Sequence, residues 1–105
     1  MRAVPKPTPR VVLDRARRAA LAQTIRAVRA AVWRRDGGRC RACQRRRGDH
    51  THHLQYRSRG GRWTTANCLL LCRSCHQDVH AHVLRIIGTD ADQREAMQFE
   101  RRRWW

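Results

Sequence analysis

The chain has little acid and almost no lysine. Only 8 Asp and Glu oppose 24 Lys and Arg in 105 residues, and the formal net charge is +16. Lys6 is the only lysine, so the basic excess is arginine. A protein this basic does not repel polyanions, and its pI near 11.7 points to nucleic acid as a partner. Arginine brings a flat, forked donor that suits phosphate oxygens. The sequence also has no apolar run long enough to span a bilayer, so no membrane segment is expected. The opening "MRAVPKPTPR" has no apolar centre of the kind a signal peptide needs. A cytoplasmic setting follows as the default, in a bacterial or phage-infected cell. There, cysteines stand as thiols or metal ligands rather than disulfides.

Proline is missing beyond residue 9. Pro5, Pro7 and Pro9 mark residues 1–10 as an extended basic arm. No repeat and no long low-complexity segment is present. From Val12 to Arg35 the pattern is helical: Leu21, Ile25, Val28 and Val32 recur at spacings of four and three. Asp36-Gly37-Gly38 stops that helix. A strand is expected over 50–55, a loop over 57–66, and a short buried strand at 68–71, "CLLL". Ser74 is a candidate N-cap for a helix running to about His82. Residues 83–87, a turn and 97–102 suggest a hairpin, and Trp104-Trp105 close the chain. Residues 11–82 would form the main domain and 83–105 a C-terminal hairpin and tail.

A chain of this size builds a modest core and often needs a staple. Cys40-x-x-Cys43 and Cys72-x-x-Cys75 supply one. Two CxxC turns offer four thiolates, which suit a closed, structural zinc site. Buried thiols or a redox pair are the alternative. Cys68 is left over and reads as a small core residue.

The histidines form a separate set. His76 and His80 are four apart and share one helix face. His52 adds a third nitrogen from the strand, and three protein ligands leave positions open, as in a catalytic metal site. His53 follows directly and points elsewhere, since strand neighbours alternate faces. Imidazole titrates near neutrality and suits a general base. His50 nearby reads as solvent-exposed. Arg57, Arg59 and Arg62 flank Gly60-Gly61, a loop that suits DNA-backbone contact or plain solvation. Trp33 reads as core against the cysteine knuckle, and Trp63 is open between packing and stacking.

The segments "VWRRDGGRCRAC", "HHLQYRSRGG", "TTANCLLLC" and "CRSCHQDVH", in that order, resemble the HNH endonuclease family. The resemblance implies a small α+β fold: a ββα-metal (His-Me finger) core stapled by a four-cysteine zinc site, preceded by a helix and followed by a short β-hairpin. It implies cleavage of double-stranded DNA to 5′-phosphate and 3′-hydroxyl ends with one catalytic divalent ion (Mg²⁺, Mn²⁺, Ni²⁺ or Zn²⁺). By position, His53 resembles the general base, and His52, His76 and His80 resemble the ligands of that ion. Asn67 resembles the family's middle asparagine, either orienting His53 through the loop or approaching the metal. One such unit carries one active site, so a homodimer is one route to cutting both strands. A phage or mobile-element setting fits the short length. The rival reading is a non-catalytic zinc-ribbon DNA-binding module, which explains the cysteines and the charge but not the histidines.

Overall fold

The computed structural model describes residues 10–102. The arm over residues 1–9 and the Trp104-Trp105 pair lie outside this range. The described part runs α1 (Arg10–Arg35), β1 (His50–His53), β2 (Cys68–Leu71), α2 (Arg73–His80), β3 (Leu84–Ile87) and β4 (Gln98–Arg101). Strands β1 and β2 are antiparallel, with His52 opposite Leu69 and His53 opposite Cys68. Helix α2 follows β2 directly, completing a ββα unit. Strands β3 and β4 form the expected hairpin, with Ile86 opposite Phe99. The first strand ends at His53, short of the expected 55: the Leu54 N–H still donates to the Asn67 carbonyl at 2.8 Å, and the chain bends over residues 54–55.

All four residues of β2 are buried, which is why "CLLL" lacks the usual polar alternation. Both faces of the strand are covered. Leu69 and Leu71 pack into a cluster with Cys40, Cys72, Cys75, Leu84, Ala91 and Met97. Cys68 and Leu70 face the other way, against Val32 of α1, with Val28 and Trp63 at the edge. Cys68 is fully buried, as expected of a small core residue.

Helix α1 has 26 residues and is about 39 Å long. Only its last turns are supported. Val32 is buried, Val28 and Ile25 are partly covered, and Leu21 is 42 % exposed. The apolar stripe therefore continues past the point where the core ends. Asp36 terminates the helix and joins three parts of the molecule. Its buried carboxylate accepts from Arg35 at 2.9 and 3.1 Å, from Arg41 Nη1 at 3.0 Å and from the Leu70 N–H at 3.0 Å. Arg41 in turn donates to the Ala91 carbonyl at 3.0 Å.

Two expectations are corrected. The N-cap of α2 is Cys72, not Ser74: the Cys72 sulfur accepts the Cys75 N–H at 3.3 Å, so the CxxC turn itself starts the helix. Trp33 is 50 % exposed rather than core. Its indole lies over Gly38, where a Cβ would stand 2.8 Å from the ring, so the tryptophan covers the helix stop instead of the cysteines.

Candidate active site and metal centres

The sulfur centre is built from two tight turns. The first begins at Cys40, whose N–H donates to the Arg46 carbonyl and whose carbonyl accepts the Gln44 N–H. Gln44 sits at φ +58°, a left-handed position that closes the turn. The second turn opens α2. Together they place the sulfurs of Cys40, Cys43, Cys72 and Cys75 within 4.8 Å of one another. Cys43 and Cys72 are 4.0 Å apart. Four sulfurs around a tetrahedral zinc stand about 3.8 Å apart, so the donor set and its spacing fit that ion. Burial opposes ionisation of Cys43, but the backbone N–H groups of Arg46 and Arg45 outweigh it, and the thiol is lowered to about 6. Arg101 on β4 donates to Cys75 Sγ at 3.1 Å and to Asp78 at 2.7 Å, tying the hairpin to the knuckle.

The nitrogen centre sits on the ββα unit. Strand alternation sends His50 and His52 toward α2 and His53 toward α1. His52, His76 and His80 bring one ring nitrogen each to within 4.8 Å of the others. The Nε2 atoms of His76 and His80 are 3.1 Å apart. Two nitrogens sharing a tetrahedral cation stand about 3.3 Å apart, so this donor set also fits a divalent ion. Burial, with His76, His80 and His53 close by, lowers His52 to about 4. Burial also lowers His76, helped by His80 and His50. All these shifts favour neutral imidazoles with lone pairs to offer. His50 differs from its expected exposure: it is half-buried, with its ring 4.9 Å from that of His76. Its signal in the sequence was the two-residue spacing from His52 on one strand face.

A cleft of about 170 Å³ opens here, lined by Thr51, His52, His53, Tyr56, Arg57, His76 and His80. The three clustered histidines and His53 thus border one opening from different sides. His53 is 9 % exposed, and its ring meets that of Trp63 edge-on, with centroids 4.3 Å apart. His53 Nε2 is buried without a hydrogen-bond partner. Burial lowers the His53 pKa, and the guanidinium charges of Arg57 and Arg29 lower it further. Tyr56 stacks on His80 with centroids 6.0 Å apart.

Residues 40–82 match the HNH endonuclease family. No match was found among curated proteins or solved structures. The HNH match holds both CxxC pairs, the His52-His53 pair, Asn67, His76 and His80, and it ends at His82; α1 and the β3–β4 hairpin lie outside it.

Asn67 is spent on the loop. Its Oδ1 accepts the Gln55 N–H at 2.8 Å, and its Nδ2 donates to the carbonyls of Gln55 and Arg62 at 3.1 and 3.0 Å. It therefore holds both ends of the stretch that follows His53 and makes no hydrogen bond to the imidazoles. Within that stretch Gly61 passes so close that a Cβ would stand 1.8 Å from the Gln55 carbonyl oxygen. Arg57, Arg59 and Arg62 are all exposed on this loop, and Arg57 alone of the three lines the cleft. The arginines from 15 to 35 on α1 could be read from the sequence as a face for the duplex or as hydrated; Arg29 is one that reaches this region, which helical periodicity does not show because it does not say what a polar face lies over.

Proposed function

We propose that the chain is a metal-dependent DNA endonuclease that hydrolyses phosphodiester bonds to 5′-phosphate and 3′-hydroxyl ends. The observation that carries this reading is the shared cleft, with three convergent histidines on one side and a single separate histidine on the other. A zinc-ribbon binding module has no use for that second nitrogen cluster.

His52, His76 and His80 would hold the divalent cation (Mg²⁺, Mn²⁺, Ni²⁺ or Zn²⁺), whose chemistry is charge stabilisation at the scissile phosphate and the departing 3′ oxygen. His53 acts as the general base. Its Nε2 is turned into the protein, which leaves Nδ1 to take the proton from the attacking water. The lowered pKa keeps this imidazole neutral, and so able to accept, at pH 7. Asn67 fixes the loop after His53 and so positions Arg57 at the rim. Arg57, Arg59 and Arg62 meet the backbone of the duplex, giving affinity and register rather than base choice. The four cysteines hold structural zinc and play no part in the chemistry.

The test is nicking of supercoiled plasmid by zinc-loaded protein with and without added divalent ions. His53→Ala is expected to abolish nicking while zinc content and duplex binding persist. Nicking by His53→Ala at the wild-type rate would remove the general-base assignment. Duplex binding with no nicking under any added divalent ion, and a single tightly bound zinc by metal analysis, would favour the binding module.

A further inference from the structure

Trp63 carries more than a packing role. Its ring is anchored at the edge of the Val32, Cys68 and Leu70 cluster, and its Nε1 is buried without a partner. Two guanidiniums from distant parts of the chain lie over it. Arg29 of α1 has its Cζ 5.3 Å from the ring centroid, and Arg57 of the loop has its Cζ 5.9 Å away. Both residues are exposed, and among the described residues neither pairs with a carboxylate. Two unpaired cations gathered on one indole repel each other, and attraction to the electron-rich ring face offsets part of that repulsion. The result is a pair of arginines already ordered, whose long side chains would otherwise lose much of their rotamer freedom on binding. Such an arrangement suits a dianionic or repeating anionic ligand that brings the missing charge.

We propose that Arg29 and Arg57, seated on Trp63, form a backbone clamp for the DNA strand held in the His53 cleft, with Arg57 on the phosphate at the opening and Arg29 on a neighbouring phosphate. This rests on the nuclease reading and extends it: α1, outside the HNH match, supplies part of the substrate site. The assignment of the two follows from the lining, since Arg57 borders the cleft and Arg29 does not, although both lie on the same indole.

The test is binding of a labelled duplex to zinc-loaded protein, without added divalent ions, across a range of salt. Arg29→Gln and Arg57→Gln are each expected to weaken binding about tenfold, the loss of one charge-assisted contact. Each should flatten the slope of log K against log salt by about 0.9, one phosphate contact. Arg34→Gln, an equal loss of charge elsewhere on α1, should do neither. Trp63→Phe keeps an aromatic seat and should stay within about twofold of wild type. If Arg29→Gln and Arg34→Gln behave alike, the clamp is refuted and only diffuse attraction remains. If the wild type binds but never nicks, and Arg29→Gln still weakens it selectively, the clamp stands and the nuclease reading falls. A wild type that does not bind duplex overturns both.

Discussion

Replacing Asp36 with alanine should be among the most damaging single changes in the protein. The position is an odd one for a carboxylate. It sits just past the C-terminus of α1, where the negative end of the helix dipole disfavours it. It is kept there by its partners. The side chain is fully buried and pairs with Arg35 and with Arg41, itself only 4 % exposed, while also accepting the buried Leu70 N–H. Alanine leaves the Leu70 amide unpaired, at a cost of about 1–3 kcal/mol. It also strands the Arg41 guanidinium, whose pKa burial already lowers. Breaking a buried pair in this way costs about 3–5 kcal/mol. The two costs overlap, because one carboxylate serves both groups, so the expected loss is about 4 kcal/mol. A domain of this size has about 5–15 kcal/mol in all. The melting temperature should then fall by roughly 15–30 °C. Thermal denaturation of zinc-loaded protein, followed by circular dichroism, measures this directly. Asp49→Ala is the control, since its contact with Arg47 is long, at 3.6 Å, and exposed. A fall of less than about 5 °C for Asp36→Ala would show that Asp36 is not the joint described here.

Removing the Arg101 contact to Cys75 should loosen the sulfur centre without unfolding it. Arg101→Met is expected to speed zinc transfer to a competing chelator by about tenfold, as for other outer contacts of a metal ligand; an unchanged rate would mean the 3.1 Å contact carries no weight. Acid should destabilise the protein when no second metal is supplied. His52 is held at about 4 when folded but returns to its ordinary 6.5 when unfolded, so the unfolded chain binds the extra proton. Stability is therefore full above about pH 6.5 and declines as pH falls toward 4. Urea titrations at about pH 7 and about pH 5 should show this, and His52→Asn should reduce the difference; an equal difference in that variant would assign it to other groups.

Much of this layout could be read before any coordinates. "CLLL" was legible as a strand because a run of apolar residues bounded by polar ones has few other uses. The two CxxC turns and the histidines spaced by four were legible as clusters because residues sharing one tight turn or one helix face carry that spacing in the sequence. What stayed hidden depends on pairings across the chain. The Asp36 stop was visible as a stop, but nothing near it announces Arg41, Leu70 and Ala91 as the groups it gathers. Ser74 looked like the helix cap because hydroxyls usually cap, whereas here a sulfur two residues earlier had both the position and the acceptor. Trp33 and Trp63 are chemically alike but differ in role, one over a glycine at the surface and one beside a histidine, and only the tertiary arrangement separates them.

The phase of the first hairpin governs everything at the cleft. Slide β1 by a single residue along β2 and each imidazole changes sides: His53 would turn to α2 and His52 would go under the indole. Asn67 blocks that exchange by gripping Gln55 through both amide and carbonyl, just beyond the paired strands. An asparagine that bonds to neither imidazole would in this way decide which histidine faces α2 and which one faces the indole.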